Sequence, residues 1–169
     1  MNGSIDRWRA TLLTAGGLGR SPVAPGTAGS IAPVAVALGL VLLGAGRGVV
    51  DLVMIVLALL ASIACVALGR DAERAWGKDP GRVVADEVAG QAIALLFLPW
   101  RSMTEPQALS FNLLLAGAAF LLFRMLDVIK PPPIGSLQRL PRGWGILADD
   151  LAAGVVAWSL LVIGSRLFG

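Results

Sequence analysis

The stretch L-V-M-I-V-L-A-L-L-A-S-I-A-C-V-A-L runs from Leu52 to Leu68 without a charged residue. A helix needs about 20 apolar residues to cross a hydrocarbon core roughly 30 Å thick. The wider segment from Val49 to Gly69 reaches that length with only Asp51 near its start. This segment reads as a membrane span. Cys65 inside it is the chain's single cysteine, which excludes an internal disulfide.

Other apolar blocks lie on both sides. Upstream, a loop rich in Gly and Pro occupies Gly16 to Ser30, and an apolar segment follows to about Ala45. Ser30 as helix cap would put Pro33 in the first turn, where proline is tolerated; such a helix covers only about 22 Å. Downstream, Arg70 to Arg82 reads as a solvated loop, with Asp79 close to the acidic pair that follows. Val83 to Pro99 forms a third span, short and either tilted or re-entrant. Ala108 to Val128 forms a fourth and Leu151 to Phe168 a fifth. At the start, Ser4 to Thr14 mixes Arg7 and Arg9 with Trp8, Leu12 and Leu13, the pattern of a helix lying in the membrane interface. The first 27 residues lack a signal peptide's apolar core, so the amino terminus is expected to be retained.

The expected fold is an all-α, polytopic membrane helical bundle of about five apolar spans, one or two of them short or re-entrant. It makes one membrane-embedded domain over residues 1–169, with the interfacial helix and Gly/Pro loop in 1–27 and the bundle in 28–169. Composition agrees: 56% of residues are hydrophobic and 15% charged, against about a quarter charged in soluble domains. Mean hydropathy is +0.78. The net charge of +3 would suggest nucleic acid in a soluble protein, but here the basic residues lie between apolar spans and no aromatic-basic binding module is present. With the amino terminus in the cytoplasm, ten basic residues fall on inner segments against Arg47, Arg101 and Arg166 outside. This is the bias expected of a membrane protein so oriented.

That topology brings the unusual polar residues to one face. Arg20, Ser21 and Thr27 lie before span one, Asp86 and Glu87 begin span three, Arg124, Asp127 and Lys130 end span four, and Asp149 and Asp150 begin span five. Five carboxylates in one layer repel unless a cation neutralises them. The chain has no histidine, so the available donors are hard oxygens, which favour Mg²⁺ over zinc. Adjacent residues on a helix point about 100° apart, so one acid of each pair is expected on the ion and the other in support. Acids at helix starts also act as simple electrostatic caps. Arg124 and Lys130 suit a phosphate beside the ion, although a structural salt bridge would account for Arg124 and Asp127 equally well. The Gly/Pro loop could cradle phosphate with its amides or be a plain turn. Gly90, Ala94, Gly154 and Ala157 read as helix-packing surface, Asp51 as a cap and Asn112 as a packed polar residue.

Four motifs in order, S-P-V-A-P-G-T-A-G-S (from Ser21), D-P-G-R-V-V-A-D-E-V-A-G (from Asp79), F-R-M-L-D-V-I-K-P-P-P-I (from Phe123) and W-G-I-L-A-D-D-L-A-A-G (from Trp144), resemble the phosphatidylglycerophosphatase A family of bacterial membrane enzymes. The resemblance runs from Gly16 to about Ala157. It implies a Mg²⁺-dependent phosphatase of the bacterial inner membrane that converts phosphatidylglycerophosphate to phosphatidylglycerol. The positions it implies are Pro25, Gly26, Thr27, Asp86, Glu87, Arg124, Asp127, Lys130, Asp149 and Asp150. Arg142 departs from the family pattern, which commonly has glycine there. On this reading the five carboxylates supply metal ligands and a base, while Arg124, Lys130 and the loop from Arg20 to Thr27 bind the phosphoryl group. Histidine phosphatases are excluded by composition, and the spaced Asp motif of CDP-alcohol phosphotransferases is missing. A small ion or proton transporter is the alternative, though the middles of spans one, two and five carry no charge.

Overall fold

The computed structural model describes residues 5–78, 80–141 and 143–168. Ser4, Asp79 and Arg142, singled out above, lie outside them. The chain is all-α: α1 (Arg7–Leu13), a 3-10 turn (Ala15–Arg20), α2 (Pro25–Leu42), α3 (Arg47–Trp76), α4 (Ala85–Ala94), α5 (Ala108–Ile129), a second 3-10 turn (Ile134–Arg139) and α6 (Gly143–Phe168). Among the described residues α2, α3, α5 and α6 are long and apolar enough to cross a membrane.

Three boundaries differ from the sequence reading, each for a local reason. α2 starts at Pro25 rather than Ser30, with Ala24 in the left-handed region at φ 48° and proline at the first helical position. A proline there has no amide to leave unsatisfied. Pro33 therefore lies inside the helix, and Ser30 is no cap: its hydroxyl donates back to the Gly26 carbonyl at 2.8 Å. α3 runs on through Arg70–Trp76, which was expected as loop. Ala72 is fully buried against the cluster around Leu13, Arg9 pairs with Asp71 at 2.6 Å and docks α1 on this extension, and the helix stops at Gly77, whose φ of 96° favours glycine. α6 begins at Gly143, so Asp149 and Asp150 sit in its second turn and do not begin the helix.

The segment expected as the third span, Val83 to Pro99, is helical only over Ala85–Ala94. α4 spans about 15 Å. The chain then turns through Phe97, at φ 53°, and its amide is taken up by Asp51 Oδ1 at 2.7 Å. Asp51 thus caps another segment's break, not its own helix. Leu98 to Trp100 follows, and Arg47 Nε at the start of α3 donates to the Trp100 carbonyl at 2.6 Å. Asn112 holds the next residue with two hydrogen bonds, accepting from Arg101 N at 2.9 Å and donating to Arg101 O at 2.8 Å.

α4 is the hub, packed against α2, α3, α5 and α6. Its small residues, including the fully buried Ala89, Ala92 and Ala94, let four neighbours approach, as helix packing in membranes requires. The outer helices bury only 28–44% of their apolar windows. Leu59, Leu60, Ile63, Leu114, Leu121 and Ile163 all point outward. So much exposed hydrocarbon is a liability in water and the natural condition of a lipid-facing surface.

Candidate active site and metal centre

α4 and α6 run side by side in the same direction and meet at two glycines. A Cβ on Gly90 would stand 2.5 Å from both the Asp150 carbonyl and Phe123 Cε2, and one on Gly154 would strike the Gly90 carbonyl. Only glycine permits this approach. Gly90 lies one turn beyond Asp86, and Gly154 one turn beyond Asp150. The crossing therefore sets those two aspartates at one level.

Asp86, Glu87 and Asp150 offer ligand oxygens that all lie within 4.8 Å of one another. Asp86 and Asp150 are buried, 8% and 3% exposed. Two ionised carboxylates at such a spacing repel by roughly 3.5 kcal/mol at an effective dielectric of about 20. Asp86 Oδ1, Glu87 Oε2, Asp149 Oδ1 and Asp150 Oδ2 are buried with no hydrogen-bond partner among the described residues. Buried oxygens left this way are costly, and a hard divalent cation is the group that satisfies several at once. The donor set, all carboxylate oxygen, fits Mg²⁺ or a similar ion. Both acids of the first pair offer an oxygen to the group. Of the second pair, Asp150 belongs to this group and Asp149 does not.

Asp127 and Asp149 hold the cations. Arg124 Nη1 donates to Asp127 Oδ2, Lys130 Nζ donates to Asp149 Oδ2, and Lys130 Nζ also lies 3.7 Å from Asp127 Oδ1. Burial alone would pull the Lys130 ammonium down. The hydrogen bond to Asp149 and the charges of Asp149, Asp150 and Asp127 outweigh it and raise its pKa above the ordinary lysine value. Lys130 takes the left-handed conformation, φ 48°, in ending α5, which turns it back toward α6.

The loop before α2 reaches the same place. A Cβ on Gly26 would run into the Glu87 carboxylate and come within 3.1 Å of Arg124 Nη1. The first intrahelical bond of α2 is made by Ala28 N to Ala24 O, so the amides of Gly26 and Thr27 have no partner within the helix. Arg20 is exposed and forms no ion pair among the described residues. Gln91 was missed by the sequence reading. It is fully buried with both amide atoms unpartnered among the described residues, one turn from Glu87. Its signal was a lone amide among the small and apolar residues that follow the acidic pair on α4.

The profile of the family described as Phosphatidylglycerophosphatase A matches residues 11–165, which takes in every one of these contacts. The chain belongs to this family. It is 35% identical over 148 residues to Phosphatidylglycerophosphatase A of Haemophilus influenzae, covering 86% of this chain and 82% of that one. To the Escherichia coli protein of the same name it is 32% identical over 152 residues, covering 89% and 80%. A Bacteroides thetaiotaomicron protein with a provisional phosphatidylinositol-3-phosphatase name is 31% identical over 153 residues, covering 90% and 91%. No solved structure matches. As a member of the phosphatidylglycerophosphatase A family the protein is a phosphatase, a phosphoric monoester hydrolase, and the cluster of carboxylates and cations is its candidate active site.

Proposed function

We propose that this phosphatase hydrolyses phosphatidylglycerophosphate to phosphatidylglycerol and inorganic phosphate, in glycerophospholipid biosynthesis at the bacterial inner membrane, with Mg²⁺ at Asp86, Glu87 and Asp150. The observation that carries the reading is the set of unpartnered buried carboxylate oxygens beside two cations and a helix start. When bound, Mg²⁺ supplies positive charge against the phosphomonoester and acidifies water near it.

The rest falls to the chain. The phosphate enters between the starts of α2 and α6 and the end of α5, where the Gly26 and Thr27 amides and Arg124 stabilise charge on its oxygens. Asp127 fixes the Arg124 guanidinium, and Lys130, held by Asp149, adds a second positive charge. Asp149 Oδ1, which has no donor among the described residues, takes the proton of the attacking water as its oxygen bonds to phosphorus, and returns that proton to the glycerol oxygen as the bond from phosphorus to it breaks. The acyl chains stay against the lipid-facing helices. The bias of basic residues supports placing this end in the cytoplasm. The buried carboxylates gather toward one end of the bundle and not midway, which speaks against a transport path.

The test is phosphate release by the purified protein. The reading expects turnover of phosphatidylglycerophosphate that chelation abolishes and Mg²⁺ restores, with Asp150→Asn reducing kcat by 100-fold or more, on the order of one lost electrostatic contact. Preference for phosphatidylinositol 3-phosphate would shift the substrate to that of the Bacteroides name. Full turnover in Asp150→Asn would remove the metal assignment.

A further inference from the structure

At the end of the bundle opposite the carboxylates, α5 and α6 part. A cleft of about 540 Å³ opens between them, lined by Leu114, Leu161, Pro99 and Gly164 among others. A Cβ on Gly164 would meet nothing within 4 Å. Leu114 is 75% exposed and Leu160, on the rim, 48%, so the slot opens sideways onto the lipid-facing surface.

Its mouth is charged. Arg47 and Arg101 both line it, together with Glu105. Arg47 uses only Nε, on the Trp100 carbonyl. Arg101 lies with its guanidinium carbon 4.0 Å from the centre of the Phe111 ring. Neither arginine forms an ion pair among the described residues. Glu105 is committed to its own turn, accepting from Ser102 N at 2.8 Å. Two guanidinium groups thus face one engaged carboxylate, leaving an excess of positive charge at the rim of an apolar slot. Guanidinium groups suit phosphate oxygens. Free phosphate would leave the slot empty, and a packing helix would leave the arginines without an anion.

The geometry points to a binding site for an anionic phospholipid, with its phosphate on Arg47 and Arg101 and one acyl chain between α5 and α6. The site lies about 21 Å along α6 from the carboxylates, measured from Asp150 to Gly164, and does not depend on the reading of that end. Its ligand is a resident lipid of the opposite leaflet, not the molecule being hydrolysed.

The experiment is a lipid titration of the full chain in neutral detergent, read as the shift in thermal unfolding temperature. Phosphatidylglycerol should raise it, while phosphatidylcholine with the same chains and inorganic phosphate should not. Arg47→Gln and Arg101→Gln should each weaken the apparent affinity about ten-fold, the loss expected for one charge-assisted contact. Gly164→Leu should remove the shift by filling the slot without touching either charge. Asp150→Asn, at the other end, should keep it. Equal stabilisation by phosphatidylcholine, an equal effect of phosphate alone, a wild-type titration in Gly164→Leu with either arginine variant, or loss of the shift in Asp150→Asn would each overturn the assignment.

Discussion

Gly154 of α6 rests directly on the carbonyl of Gly90 of α4, and this single backbone contact sets the level of the acidic cluster. Gly90→Ala is therefore expected to act on the site through geometry. The added methyl must displace Asp150's own backbone or the Phe123 ring. Overpacking of this kind costs about 1–3 kcal/mol, visible as a lower unfolding temperature in detergent. Activity should fall further than stability, because Asp86 and Asp150 part. Gly117→Ala on α5, where a Cβ meets nothing within 4 Å, should leave activity unchanged and stabilise by about 0.5–1 kcal/mol.

Gly26→Ala separates function from folding more sharply. The new Cβ would land on the Glu87 carboxylate, yet the residue is half-buried at a helix start. The expected outcome is a loss of turnover of ten-fold or more with little change in unfolding temperature. Gly39→Ala in the same helix has open space and should stabilise by about 0.5–1 kcal/mol, with normal kinetics.

Much of this was legible in the residues. The apolar runs gave the spans, and the order of the four motifs gave the family. The partners of the spans were not legible. Asp149 and Asp150 looked like the start of a helix because W-G-I-L before them could be loop; the structure continues the helix to Gly143 because that glycine packs against the Cys65 carbonyl on α3, a contact far apart in sequence. Asp51 looked like a local cap, whereas it serves Phe97 across the bundle. The spacing of Gly90 from Asp86 and of Gly154 from Asp150 was readable, but which two glycines meet is a tertiary fact.

Lys130→Met should strand Asp149, which is 2% exposed. Breaking a fully buried pair costs about 3–5 kcal/mol; since the Lys130 side chain is 27% exposed, about 2–3 kcal/mol is expected here. The double variant with Asp149→Asn should recover part of this, and a double-mutant cycle in chemical denaturation measures the coupling. The raised Lys130 pKa means that the pair's contribution is fully present below the ordinary lysine value and is lost only as pH rises through the raised one. Stability from this pair should therefore not vary across the neutral range.

Asn112→Ala removes both hydrogen bonds to the Arg101 backbone at the end remote from the carboxylates. At about 1 kcal/mol for each bond, the unfolding free energy should drop by about 2 kcal/mol. KM and kcat below the unfolding transition should stay at their normal values.

The account rests on Asp86, Glu87 and Asp150 holding one hard cation together. Mn²⁺ binding to the purified protein, followed by electron paramagnetic resonance, tests this without relying on turnover. Wild type should bind Mn²⁺ and release it to Mg²⁺, Glu87→Gln and Asp150→Asn should each weaken binding ten-fold or more, and Asp6→Asn, on the exposed end of α1, should bind as wild type does. Unaltered Mn²⁺ affinity in both cluster variants would contradict the account.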